Sequence, residues 1–156
     1  MGYERVVSFD HEFVGRDSLE RSLHQPRRTK RTLVWDQEDV ARVFRSQFAG
    51  PRFKSMEFPS PYFGWPQVDE VRSLDGEIVG ISCHCGYAGS VREMVSLASI
   101  QDKFSDFGTE VVVTWGEPNG GSRKPHVERH EQTKIKAIVA PVPYAKAARE
   151  RLRATI

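Results

Sequence analysis

No run of about 18 consecutive apolar residues occurs in the chain, so no segment of it reads as a bilayer-spanning helix. Nor does it open on a charged-then-apolar leader, and a cytoplasmic protein with no membrane partner is the expectation. Cysteine is scarce. Cys83 and Cys85 are the only two, too close in one extended segment to favour a disulfide and with no second pair to complete a four-ligand zinc site. Charge of either sign is not in excess: 23 Lys and Arg against 21 Asp and Glu leave +2, too mild to imply a polyanionic partner. What is present suffices for one core: 156 residues, 38% hydrophobic and 28% charged, form a chain too apolar for disorder and too short to favour two domains.

Residues 75–100 are the stretch around which the chain is organised. Asp75-Gly76 supplies a turn that tolerates positive φ, and Glu77, Val79, Ile81, Cys83 and Cys85 alternate against Ile78, Gly80, Ser82 and His84. That period of two predicts a strand with both cysteines on one face and His84 on the other. Small residues from Gly86 to Ser90 break it. Residues 91–100 then read as a paired strand, although VREMVSLASI also has tolerable helical spacing.

Four further strands are expected, over 32–35, 67–72, 108–115 and 134–139, separated by glycine and proline turns. In the strand over 108–115, Val111 and Val113 oppose Val112 and Thr114, a run apolar on both faces that suits a wall covered from outside. Asp36 is a good N-cap for a helix over 37–48 carrying Val40, Ala41, Val43, Phe44 and Phe48, with Glu38 and Asp39 in its first turn and Gly50-Pro51 beyond it. A short helix capped by Asp17 or Ser18 precedes Pro26, and another is expected over 144–153. The fold class is therefore mainly β: about six strands in a small Greek-key barrel with two or three peripheral helices. Residues 1–31 form a connector with a short helix, and residues 32–156 form one barrel domain.

Three polar or aromatic stretches invite chemistry. HQPRRTKRT, at 24–32, concentrates Arg27, Arg28, Lys30 and Arg31, but without interleaved aromatics or a recognition helix it reads as a solvated connector, and no nucleic-acid partner is expected. Phe53, Phe58, Tyr62, Phe63 and Trp65 lie among three prolines, a cluster suited to pinning a loop over the core or to a subunit contact. KPHVERHEQT, at 124–133, places His126 and His130 four apart with Glu128 between them. On a helix such a pair can hold a metal. The segment leads directly into a strand, however, and His84 points away from any shared site, so no metal is expected and both cysteines read as reduced and packed.

Several of these segments resemble a known family. DGEIVGIS, the small-residue turn, SLASI and FGTEVVVTW follow in the order of the C-terminal barrel domain of the glycine-cleavage T-protein (aminomethyltransferase) superfamily, and EFVGRDSLERSL is similar to the segment that leads into that barrel. LVWDQEDVARVF and GEPNGGSRKPHVERHEQT resemble the branch of tetrahydrofolate-dependent O-demethylases that act on vanillate and syringate. The resemblance runs from near the first residue to the last strand.

It implies one-carbon chemistry in which methyl transfer to tetrahydrofolate depends on a larger portion that binds the folate and carries the acid or base. That portion is not in these 156 residues. No catalytic residue and no metal is therefore expected here, and the chain alone is expected to be inactive. Tyr144, after Pro141-Val142-Pro143, is the nearest equivalent of the family's tail tyrosine at the folate and substrate site, and Arg123 and Lys124 are candidates to meet an anionic ligand. The implied partner is a separately encoded folate-binding subunit, or a second copy through Phe53, Phe58, Tyr62, Phe63 and Trp65. A non-catalytic interaction or ligand-binding module is the alternative.

Overall fold

In a computed structural model of the chain, residues 7–23, 27–58, 67–121 and 127–154 are described. Six strands, β1 (Arg28–Trp35), β2 (Val68–Arg72), β3 (Ile78–Ala88), β4 (Glu93–Gln101), β5 (Glu110–Trp115) and β6 (Thr133–Ala140), alternate with three helices, α1 (Arg16–Ser22), α2 (Gln37–Arg45) and α3 (Lys146–Ala154). The strands close into an antiparallel barrel in the order β1-β4-β3-β2-β5-β6, with β6 returning to β1. β2, β3 and β4 form a meander, and β1 reaches the side of β4 by the long connection through α2, which is the Greek-key arrangement. The expected fold class is the one observed.

Alternation fills the barrel. Leu33 and Trp35 from β1, Val111, Val113 and Trp115 from β5, and Ile135, Ala137 and Val139 from β6 all point inward and are almost fully buried, each large one contributing ~1.5–3 kcal/mol through removal from water. Inside, Trp35 and Trp115 meet edge to face with ring centroids 5.4 Å apart. The Trp35 indole N–H donates to Ser96 Oγ at 2.9 Å, and Ser82 Oγ lies 2.8 Å from the same hydroxyl, so these three interior polar groups satisfy one another. Gly80 faces inward opposite Ile100, where a Cβ would sit 2.3 Å from the Ser99 carbonyl oxygen. Only glycine lets β3 and β4 approach so closely.

β3 departs from strict alternation. Between Cys83, paired with Leu97, and Gly86, paired with Val95, it carries one residue more than its partner, and His84 takes up the excess at φ 52°. This bulge rotates the strand. Cys83 consequently lies half-buried on the outer side while Cys85 is buried in the core, and the expectation that the two share a face is corrected.

α2 begins as the sequence requires, Asp36 accepting the Asp39 N–H at 2.9 Å. It ends earlier than expected, at Arg45. Ser46 Oγ donates to the Val43 carbonyl and accepts the Phe53 N–H, and Gln47 Nε2 donates to the Val43 and Phe53 carbonyls, so side chains turn the backbone away before Phe48, which is left 89% exposed. Asp39 then docks the helix: Oδ2 accepts the Lys136 N–H and Oδ1 accepts from Arg42, each at 2.9 Å. Burial would push this carboxyl upward, but the two donors outweigh it and hold Asp39 below the ordinary carboxylate range.

Other boundaries also move. α1 has Gly15, at φ 93°, in the capping position with no side-chain cap, instead of Asp17 or Ser18. β1 starts at Arg28, within the stretch read as a connector, because Arg28 to Arg31 pair with Gln101 to Ala98. Arg31 Nε further donates to the Ser105 carbonyl at 2.7 Å. α3 starts at Lys146, so Tyr144 precedes it. No described helix is long and apolar enough to cross a membrane.

Candidate functional site: a polar cavity at one mouth of the barrel

The barrel end where β5 leaves the wall gathers polar groups that the core cannot easily accommodate. After Trp115 the chain turns at Gly116, whose φ of 98° and close contact with His130 suit glycine: a Cβ there would be 3.0 Å from His130 Cδ2. The turn aims the Glu117 N–H at His130 Nε2, 2.8 Å away. That nitrogen must present its lone pair, so Nδ1 carries the proton and donates to the Glu128 carbonyl at 2.8 Å. With the His130 N–H also bound to the Gly120 carbonyl at 2.8 Å, both ring nitrogens and the backbone of this buried histidine are used in fixing the loop.

A second segment closes over the same mouth. The Trp115 indole N–H donates to the Lys54 carbonyl at 2.8 Å, the Ser55 N–H donates to Glu128 Oε1 at 2.5 Å, and the Glu131 N–H donates to the Arg52 carbonyl at 2.8 Å. These contacts hold Lys54 in place. Its ammonium lies 3.1 Å from Glu117 Oε1 and 5.7 Å from the centre of the Trp115 ring, with the side chain almost wholly buried. Asp69, inward-facing on β2 beside Ser82, is buried at this end and accepts from Gln67 Nε2 at 3.0 Å. Lys54, Asp69 and Glu117 line a cavity of about 360 Å³ together with Arg72, Thr114 and Gln132.

The chemistry open to this arrangement is binding and positioning. Burial, and then Asp69, push the Cys85 thiol up to about 12, so it holds its proton at neutral pH and is no nucleophile. Burial also raises Cys83, again with Asp69 contributing. His130 has no nitrogen left for a substrate, and Lys54 is ion-paired. Among the described residues no three His, Cys, Asp or Glu side chains group to hold a metal. A second, more apolar cavity of about 560 Å³ lies between α2 and the β3–β4 turn, where Phe58 stacks on Tyr87 with ring centroids 4.6 Å apart.

The residues singled out in the sequence are dispersed. Tyr144 is half-buried, and its carbonyl and that of Pro143 accept from Arg149 Nη1. It follows the end of β6 remote from His130, and an eight-residue strand spans roughly 25 Å. Arg123, Lys124 and His126 lie outside the described residues, as do Tyr62, Phe63 and Trp65. Phe53 packs against the core under the Arg42 guanidinium, 5.2 Å from its ring centre, whereas Phe58 is exposed. Lys54, Asp69 and Glu117 were not singled out. For Asp69 a signal existed, since it shares the inward phase of β2 with Val71. For Lys54 and Glu117, in irregular segments, no periodicity could have done so.

No family model matches the chain. Two characterised proteins are similar to it along nearly its whole length. A syringate O-demethylase from Sphingobium sp. is 47% identical over 150 residues, covering 96% of this chain and 32% of the relative. A sesamin methylene transferase from Sinomonas sp. is 32% identical over 156 residues, covering 92% of this chain and again 32% of the relative. The chain thus spans about a third of the length of each relative.

Proposed function

We propose that the chain is the barrel portion of a tetrahydrofolate-dependent O-demethylase, in which a larger folate-binding portion transfers a methyl group from an aromatic methyl ether to the folate. The 47% identity to a syringate O-demethylase across 96% of the chain is the observation that carries this reading. The site is consistent with it. Among the described residues, a buried thiol that stays protonated, a histidine spent on structure and an ion-paired lysine form no nucleophile–base pair, which fits a part that positions and does not react. Tyr144, Arg123 and Lys124 are the proposed contacts for tetrahydrofolate and substrate.

The test is replacement. A syringate O-demethylase whose matching third is exchanged for this chain should demethylate syringate when tetrahydrofolate is supplied, while the chain alone should not. A chimera that folds and binds tetrahydrofolate yet leaves syringate untouched would count against the proposal.

A further inference from the structure

The outer wall of the barrel is uneven. On the β5–β6 side, outward positions carry Glu110, Lys134 and Lys136, with Ile138 the one large apolar side chain exposed among them, and α2 leans on this side through Asp39 and Arg42. On the β2–β3–β4 side the outward positions mix Glu70, Arg72, Ser99 and Gln101 with several exposed apolar side chains. Val68, Ile81 and Leu97 are 59%, 38% and 41% exposed, and Ile78 is exposed as well. Register makes them one patch, since Val68 pairs with Cys83, Cys83 pairs with Leu97, and Ile81 is the preceding outward residue of β3. Cys83 follows Ile81 in the same outward phase and sits in the middle of it, before the His84 bulge turns Cys85 inward. Reading across the neighbouring row, Glu70, Ile81, Ser99 and Lys30 are successive partners, so an acid on one flank and a base on the other rim the apolar strip.

An antiparallel wall that faces water is normally polar on its outer side. An apolar strip with a charged rim has instead the anatomy of a protein interface. α2 meets β4 at its first residue, where Gln37 Nε2 donates to Glu93 Oε2 at 3.1 Å, well short of Leu97. The relatives add about twice this chain's length to the shared third, and that added mass must pack against the barrel somewhere. We infer that the outer face of β2, β3 and β4, centred on Val68, Cys83 and Leu97, is the surface on which the folate-binding portion of the enzyme docks. This rests on the proposed function and names the surface through which it operates.

The experiment uses the chain itself and the chimera described above. Val68→Glu and Leu97→Glu replace exposed side chains, so the isolated variants should melt within a degree or two of the parent, as surface changes do. In the chimera the same substitutions should lower the demethylation rate at least about tenfold, as expected for residues at the centre of an interface, and lower its melting temperature. Lys134→Glu, on the opposite wall, should do neither. An active chimera whose rate and melting temperature are unchanged by Val68→Glu and Leu97→Glu overturns the docking surface and leaves the proposed function standing. An equal fall in melting temperature in the isolated chain assigns the effect to the barrel's own stability and also overturns it. So does dimerisation of the isolated chain that Val68→Glu abolishes, which makes the occupant a second copy. A folded but inactive parent chimera defeats the proposed function itself.

Discussion

The Glu117 N–H points at His130 Nε2 from 2.8 Å, and this contact fixes both the tautomer of the ring and the course of the loop that closes the polar cavity. The histidine is the hub between the turn after β5 and the segment that enters β6. Its Nδ1–H reaches the Glu128 carbonyl, and Glu128 in turn accepts from Ser55.

His130→Ala should therefore leave a backbone donor and a backbone acceptor without partners in a buried place. The expected loss is on the order of 2 kcal/mol in urea unfolding, with His130→Gln intermediate because it retains an acceptor for the Glu117 N–H. A loss below about 0.5 kcal/mol, the range of ordinary surface changes, would show that the ring is not the hub.

Gly80 and Gly76 offer a matched pair. At Gly80 an added Cβ would meet the Ser99 carbonyl at 2.3 Å, against backbone that cannot swing away, whereas at Gly76 nothing lies within 4 Å and only its φ of 89° resists substitution. Gly76→Ala should cost about 1–2 kcal/mol, the strain of placing an L residue in the left-handed region. Gly80→Ala should cost distinctly more and broaden amide exchange along β3 and β4, because it parts the two strands. Equal effects by thermal melting would show that the close approach is relieved without strain.

How much of this was legible in the sequence depends on what each residue answers to. The Asp36 cap, the alternation of β5 and β6 and the Asp75-Gly76 turn are local, and the barrel followed from them. The His84 bulge is not local: it is set by the register with β4, so alternation alone puts both cysteines on one face, whereas only Cys85 is in the core. The early end of α2 depends on Ser46 and Gln47 bonding to a segment six or seven residues on. The cavity draws Lys54, Asp69 and Glu117 from segments far apart in sequence, and their charges become informative only once the barrel closes.

Cys85 gives the protein a pH dependence at the alkaline end. Unfolded, its thiol ionises near the ordinary 9.0, whereas in the fold burial pushes it up to about 12. Between these values the unfolded chain has released the proton and the folded chain retains it, so the stabilisation is intact below the lower value and is lost as pH rises toward the upper one. Its slope approaches ~1.4 kcal/mol per pH unit. Comparing the chain with Cys85→Ala in urea between pH 8.5 and 11 isolates this from other alkaline titrations, and the expected result is a steeper decline in the parent. Parallel curves would place the thiol in contact with water.

The central claim is that these residues supply the barrel of a folate-dependent demethylase, and the most direct measurement is the rate at which the chimera converts syringate with and without tetrahydrofolate. A rate within about a hundredfold of the parent syringate O-demethylase, vanishing when tetrahydrofolate is withheld, is the expected result; on the transition-state scale that gap is under ~3 kcal/mol. A folded chimera that binds both ligands and turns over neither faster than the folate-binding portion carrying an unrelated barrel would contradict it.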